Sequence, residues 1–477
     1  MKSKLYKAIA KSVSGKLLTY IVQFIALAIY ARMFTPQEFG VIASIQVFVT
    51  FFKMLSSVGI GPAIINEDEF GNFKRDGIFS VTIILGVFIS ISFYYFSYFL
   101  NYFYGEYEYQ NIAIFVSISI LFSTFNIVPN TALVKDYNFF KLAFTDVAVE
   151  MICFFIVYLL YLSGFGLLAL ASRPAIQSLF RFFLCWLLSS KTSIGRAKIG
   201  TELYHIKAIM QFSLYQFGFN FINYFSRNLD NILIAKYFGM NAVGTYDKAY
   251  QLMRYPLLMT TSAMTPAIQP VLTKVRADKY LIVKEHNTLT ARLLALSIPI
   301  SVFMFLYSKD ILLVLFGAQW IVANDLIKIF SVMIPIQAVL STSGSFFQVI
   351  NCPRLLFISG LIAAVVTVSA ILLGLFMNDV NYIAISLVLA FFINFLQIYH
   401  VLFKYGFKLS IKSFYIQLLK VLMWMAPPNI IFILLNLHII PKDIYPPIVN
   451  ILIGMIVGLV ILIIFMKPIK KCLIPSK

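Results

Sequence analysis

Long apolar stretches alternate with short polar ones from one end of this chain to the other, and that feature decides the class of fold. A backbone that crosses a bilayer must satisfy its own N–H and C=O groups, and a helix of about 20 apolar residues does so. Stretches of this kind fall at 13–34, 39–64, 78–100, 111–134, 143–162, 165–189, 208–235, 243–272, 288–307, 322–349, 355–376, 380–403, 414–436 and 446–466. The region 288–350 is the least regular, because Lys309 to Asp325 mixes apolar and polar residues in an interfacial pattern. Hydrophobic residues make up 61% of the chain and charged residues 12%, whereas soluble domains carry about 25% charged residues. The expected fold is an all-α integral membrane protein of about 14 transmembrane helices. A secreted, fibrous or disordered chain is excluded. The longest polar connection, near Ser189 to Lys207, leaves no room for a soluble catalytic domain.

The net charge of +19 would suggest nucleic acid as a partner in a soluble protein. Here the placement of the charges decides otherwise. The even-numbered loops and both tails hold 25 of the 38 Lys and Arg residues, and the odd-numbered loops hold only Arg32, Lys236, Lys309 and Lys442. A split that alternates loop by loop supports the span count, since one missed helix would scramble it. Basic residues stay in the cytoplasm, so both termini are expected there, and a nucleic-acid role is not. Met1 to Lys16 carries five lysines ahead of an apolar run and so resembles a signal peptide. That run ends at Ala31-Arg32 without a small-x-small cleavage site, and it reads as a retained first helix. Cys153, Cys185, Cys352 and Cys472 are scattered, as are His205, His286, His400 and His438. Free thiols are expected, with no disulfide framework and no metal site.

The chain carries a weak internal repeat. Shifted by 204 residues, Ala31-Arg32-Met33-Phe34 falls on Ala235-Lys236-Tyr237-Phe238, Gly40 on Gly244, and Pro62-Ala63-Ile64 on Pro266-Ala267-Ile268. Spans one and two then land on spans seven and eight in matching orientation. Two six-helix bundles related by a pseudo-two-fold along the membrane normal are expected, with two C-terminal helices appended. The corresponding domains are 1–195, 196–410 and 411–477. Parallel repeats of this kind are common in secondary transporters, whose substrate sites lie between the halves.

Charged side chains at a helix centre cost about 2.5–3.5 kcal/mol on insertion scales, so they face a cavity or a partner. Arg173, Gln177 and Arg181 share one face of span six at i, i+4 and i+8, beside Pro174. Asn220, Asn223, Arg227 and Asp230 share a face of span seven, with Arg227 and Asp230 spaced to pair. Asp247, Gln251 and Arg254 share a face of span eight. Lys53 lies deep in span two, and Asp146 and Glu150 sit at i, i+4 near the inner end of span five. Asp146 reads as a helix-end residue in water, and Glu150 as a neutralising partner for Arg181. Lys248, Arg292, Lys328 and Lys420 read as side chains that snorkel to the interface. Arg173, Arg181, Arg254 and Lys53 outnumber the deep acids. Together with Arg227 they form the expected substrate-binding set, and such a cationic cavity calls for an anionic ligand. Arginine suits phosphate best through its bidentate fork. Asp230, Glu150 and Asp247 are the candidates for gating or ion coupling.

Arg227-Asn228-Leu229-Asp230-Asn231-Ile232-Leu233-Ile234, Phe238-Gly239, Val243-Gly244-x-Tyr246 and Lys248-Ala249-Tyr250 resemble the signature of Wzx-type polysaccharide flippases, in the colanic-acid-exporter-like branch of the MOP exporter superfamily. Ala31-Arg32-x-Phe34-Thr35-Pro36-x-Glu38-Phe39-Gly40 and Val58-Gly59-Ile60-Gly61-Pro62-Ala63-Ile64-Ile65 resemble the same branch. The likeness covers the layout from about residue 10 to 400. It implies a MATE-like fold with a central cationic cavity. It also implies that an undecaprenyl-diphosphate-linked oligosaccharide is flipped across a bacterial cytoplasmic membrane for O-antigen, capsule or exopolysaccharide synthesis. The diphosphate would sit by cavity arginines, the glycan in the cavity and the lipid tail in the bilayer. A polysaccharide polymerase and a chain-length regulator are the partners it implies. No cofactor is expected, and coupling to H+ or Na+ stays open.

Two other readings compete. A MATE-type ion-coupled exporter of small cationic molecules needs an acidic cavity, which Asp146, Glu150 and Asp230 only begin to supply. A membrane polysaccharide polymerase or glycosyltransferase would show a long external loop or a cytosolic DxD-type motif, and neither is present. Glu67-Asp68-Glu69 reads as a solvated loop. No GxGxxG, P-loop or Ser/His/Asp constellation appears, so an enzyme is not expected.

Overall fold

The computed structural model describes residues 2–57, 60–66, 71–105, 107, 109–261, 268, 272–273, 278–439 and 444–466, without the side chains of 2–16, 62, 63, 66, 205–223, 259 and 260. Every regular element among the described residues is helical. The chain divides into two compact units, Met1–Gly244 and Thr245–Lys477. This division rests on contacts, whereas the expected boundary at residue 195 rests on the repeat.

The first unit contains α1 (Lys2–Met33), α2 (Pro36–Ser57), α3 (Ile60–Asn66), α4 (Asn72–Tyr104), α5 (Tyr109–Phe125), α6 (Ile127–Lys135), α7 (Phe139–Leu162), α8 (Leu167–Ser189) and the first arm of α9 (Ile206–Thr261). Helix α5 packs between α4 and α8, and α7 between α1 and α8. The second unit contains the rest of α9, then α10 (Lys279–Leu306), α11 (Ser308–Leu315), α12 (Asn324–Val332), α13 (Ile334–Val349), α14 (Pro353–Phe376), α15 (Val380–Val401), α16 (Lys412–His438) and α17 (Pro447–Ile464). The two helices expected as appendages are built into this unit: α16 packs on α10, and α17 on α11. Asn436 of α16 donates to the Tyr307 hydroxyl at 2.5 Å. An apolar cavity of about 240 Å³ lies among α10, α16 and α17, lined by Phe303, Phe432 and Gly458 among others. His286 is fully buried among Phe346, Tyr399, Phe403 and Phe414.

Among the described residues, nine helices are long and apolar enough to cross a bilayer, or up to eleven if two bent pairs each count as one span. These account for up to eleven of the fourteen expected spans. The other three expected spans fall on α1 and on the two arms of α9, where part of the side chains lies outside the described residues. Both bent pairs have a proline at the bend. Pro129 follows the 41° bend between α5 and α6, and Pro335 follows the 57° bend into α13. Proline lacks the N–H that would bond four residues back. The carbonyl released by Pro335 belongs to Ser331, and the Ser301 hydroxyl donates to it at 2.7 Å.

The loops of the first unit sort onto two ends. At one end Gln37 meets Tyr107, Lys236 meets Phe103, and Tyr109 meets Met240, which joins the first, third and seventh loops. At the other end Arg75 and Asp76 bond Ile194 and Lys198, and Asp136 bonds Ser193, which joins the second, fourth and sixth. The alternation seen in the charges is thus an alternation in space.

The 204-residue repeat also has a structural counterpart within this unit. The chain breaks between α1 and α2 at Thr35, and α9 breaks at the equivalent Gly239, with φ 83° and ψ 175°. Pro266 and the side chain of Pro62 lie outside the described residues, so the equivalence expected there is not part of this counterpart.

Candidate functional site

The two polar stripes read from spans five and six face each other across an antiparallel pair of helices. On α7, Asp146 and Glu150 sit one turn apart. On α8, which runs the opposite way, Arg181 lies opposite Asp146, and Arg173 and Gln177 lie opposite Glu150. Arg173 Nη2 donates to Glu150 Oε1 at 2.8 Å, and Gln177 Nε2 donates to Oε2 at 2.7 Å. Arg181 Nη2 is 3.1 Å from Asp146 Oδ1. Two expectations are corrected here. Glu150 neutralises Arg173, not Arg181, because antiparallel packing puts the deeper acid against the earlier arginine. Asp146 is no solvated helix end; its side chain is 25% exposed and engaged by Arg181.

Each pair keeps a different degree of access. The Arg173–Glu150 pair is 23% and 5% exposed, and the Arg173 guanidinium lies 4.6 Å from the centroid of the Tyr30 ring on α1. Arg181 is 43% exposed, so its guanidinium is open to a further ligand while it holds Asp146.

Lys53 completes the cluster from α2. Its Nζ donates to Ser119 Oγ on α5 at 2.8 Å, and Ser119 Oγ lies 2.8 Å from Ser178 Oγ on α8. Ser178 also receives a bond from Ser123 at 3.2 Å and donates to the Pro174 carbonyl at 2.7 Å. Lys53 meets no carboxylate among the described residues. Three cations and two acids therefore leave one net positive charge, located on Lys53. Removing either member of a buried ion pair strands the other, at a cost of about 3–5 kcal/mol. The acids are thus committed to the arginines.

The remaining expected site residues are placed separately. Arg227 is exposed on the first arm of α9. Asp230 is 5% exposed, and its Oδ1 accepts from the Asn231 N–H at 2.9 Å. The Arg227–Asp230 ion pair expected from their spacing is not among the described pairs, because one side chain points outward and the other inward. Asn220 and Asn223 have side chains outside the described residues. In the second unit Arg254 is exposed, and Asp247 pairs with Lys248 at 2.9 Å. Lys248 also donates to Gln251 at 2.9 Å and is only 8% exposed, so it does not snorkel. The acidic run Glu67-Asp68-Glu69 lies outside the described residues.

Tyr30, Ser119, Ser123 and Ser178 belong to this cluster and were not singled out from the sequence. The spacing of Ser119 and Ser123, one turn apart in an apolar span, is the signal that would have found two of them.

A family profile described as polysaccharide biosynthesis protein matches residues 29–325. The chain belongs to this family. Its relatives include the succinoglycan biosynthesis transport protein ExoT of Rhizobium meliloti, 24% identical over 365 residues that cover 76% of this chain and 73% of ExoT. The teichuronic acid biosynthesis protein TuaB of Bacillus subtilis is 23% identical over 326 residues, covering 68% and 67%. Among solved structures, the lipid II flippase MurJ in its inward closed conformation aligns with a TM-score of 0.79 over 97% of this chain and 99% of its own, at 15% identity. A multidrug resistance MATE transporter of the MOP superfamily aligns at 0.58 over 82% and 93%, at 14% identity. At these identities the structural likeness shows the fold alone. This member of the polysaccharide biosynthesis family has the helices of a multi-pass membrane protein, and the relatives and structural neighbours named above include a transport protein, a flippase and a MATE transporter.

Proposed function

We propose that this chain flips an undecaprenyl-diphosphate-linked oligosaccharide from the cytoplasmic to the outer leaflet of a bacterial cell membrane, by alternating access. The observation that carries the reading is Lys53: a cation inside the membrane that meets a hydroxyl and, among the described residues, no carboxylate, beside an arginine that keeps an open face. A diphosphate supplies the missing negative charge, and Arg181 can hold it through a second N–H while keeping Asp146. Arg173, Arg227 and Arg254 are proposed as further contacts along the path of the substrate. Asp230 and Asp247 remain the proposed gating or coupling residues, and Glu150 acts by holding Arg173. The succinoglycan and teichuronic acid assignments of the relatives support a polysaccharide precursor as cargo, and the lipid II flippase fold supports a lipid-linked one. Cytoplasmic termini, coupling to H+ or Na+, functional lobes at 1–195 and 196–410 with helices 411–477 added, and work beside a polymerase and a chain-length regulator belong to the same proposal. Export of small cations is disfavoured, because both acids of the cluster already hold arginines.

The test is Lys53→Ala against Lys53→Arg, with surface polysaccharide and membrane-inserted protein measured side by side. The alanine variant is expected to lose export at normal protein level, and the arginine variant to keep most of it. Normal export by Lys53→Ala would refute a diphosphate site at this residue.

A further inference from the structure

The segment that follows α8, from Ser190 to His205, does not hang free between α8 and α9. It lies as a strap across the end of the first unit where α4, α6 and α8 meet. Bonds at five of its residues pin it: Ser193 N–H to Asp136 at 2.6 Å, Arg75 to the Ile194 carbonyl at 2.8 Å, and Trp186 Nε1 to the Ala197 carbonyl at 2.9 Å, then Lys198 N–H to Asp76 at 2.8 Å and Gly200 N–H to the Ser80 hydroxyl at 2.8 Å. Ile194 and Ala197 are buried against Ile78, Phe79 and Phe182.

These bonds engage two of the nearby acids, Asp76 and Asp136, while Glu202 on the strap itself faces the Tyr204 hydroxyl at 3.5 Å. Asp76 holds Arg75 and the Lys198 N–H, and Asp136 holds Ser193. Lys191, Arg196 and Lys198 meet no carboxylate among the described residues, and the Arg196 guanidinium lies 4.5 Å from the centroid of the Trp186 ring. Around them, large side chains stand outward that water would penalise: Ile199 is 82% exposed, Phe73 76%, Tyr137 68% and Phe140 64%. Cations interleaved with exposed apolar and aromatic side chains, at the end of a membrane bundle, match a headgroup layer better than water or a protein partner.

We propose that this strap is a binding site for an anionic phospholipid of the adjacent leaflet, with the phosphate held by Lys191, Arg196 and Lys198 and with Ile199 and Phe73 set among the acyl-chain roots. The rigid strap gives the three cations a fixed spacing that a disordered basic loop lacks. The site is separate from the Lys53 cluster, and no step of the proposed transport depends on it.

The experiment measures native mass spectra and thermal melting of the purified full-length protein in micelles of fixed total lipid, with phosphatidylglycerol or phosphatidylcholine as probe. Wild type is expected to retain phosphatidylglycerol and to melt higher with it than with phosphatidylcholine. The triple change Lys191→Gln, Arg196→Gln, Lys198→Gln should weaken phosphatidylglycerol retention on the order of 100-fold, at roughly five-fold per charge. It should melt like wild type in phosphatidylcholine. If the triple variant does not fold, Arg196→Gln alone is compared with Arg196→Lys, and retention should fall for Gln and persist for Lys. Equal retention of both lipids by wild type, or unchanged retention in the variants, would overturn the proposal. So would the same stabilisation from inorganic phosphate alone, which marks a free-anion site. Loss of the strap's binding only on addition of a cytosolic acidic protein, with no lipid preference, would assign the surface to a protein partner instead.

Discussion

Gly40 and Gly244 lie backbone to backbone, and each occupies the other's position in the 204-residue repeat. A Cβ on Gly40 would overlap the carbonyl of Met240, and a Cβ on Gly244 would overlap the carbonyl of Pro36. Pro36 and Met240 are themselves repeat equivalents. The contact is therefore reciprocal, as at a two-fold axis, where residue i meets j′ and j meets i′. Among apolar helices, chance identity at six positions would not arrange the residues in this way. The repeat that was weak as a sequence pattern is thus written into a local two-fold crossing of α2 with the start of the second arm of α9.

Gly40→Ala and Gly244→Ala should each lower the melting temperature of the purified protein. A methyl at either place requires the two backbones to separate, and overpacking of this kind costs typically 1–3 kcal/mol. Gly344→Ala is the control, because a Cβ there meets nothing within 4 Å. Equal melting of all three variants would show that the crossing is loose.

The α7–α8 ladder predicts asymmetric damage. Glu150→Ala or Arg173→Ala alone should reduce folded protein, since each strands a charge at a cost of about 3–5 kcal/mol. The double change Glu150→Leu with Arg173→Met should restore protein level. Membrane-fraction immunoblots and melting curves read both. If the singles are no worse than the double, the pair contributes little to stability.

Arg227 and Asp230 should behave differently from each other, because they are not held as a pair. Arg227→Ala changes an exposed side chain and should leave protein level near normal while lowering surface polysaccharide. Asp230→Ala changes a buried one and should lower folded protein itself. Matching losses of protein in both variants would indicate that the two act together after all.

Reporter fusions test the sidedness. Those after residues 105, 240 and 379 should report outside, and those after 71, 198 and 410 inside. The first unit already groups the loops near 105 and 240 at one end, and those near 71 and 198 at the other. Two reversals would break the span assignment.

Much of this fold follows from the sequence because a bilayer leaves a helix few alternatives. Apolar length gives the spans, and alternation of basic residues gives their sidedness. The i, i+4 spacing of Asp146 with Glu150, and of Arg173 with Gln177 and Arg181, gives polar faces. Each of these signals is local: it depends on residues within a turn or two of each other, and periodicity reports it. Which acid meets which arginine is not local. Glu150 and Arg173 are 23 residues apart, and their pairing was decided by the antiparallel register of α7 on α8. That Lys53 meets Ser119, and no carboxylate among the described residues, was decided by the packing of α2 on α5. Asp230 turning inward while Arg227 turns outward was decided by how the first arm of α9 is rotated, which a spacing of three residues leaves open. The strap is not legible in the sequence for the same reason, since its bonds join residues up to 122 positions apart. Burial and charge pattern fix which side chains need partners. Only the packing of one helix against another fixes which partners they get, because a partner's distance along the chain carries no energy and its distance in space does.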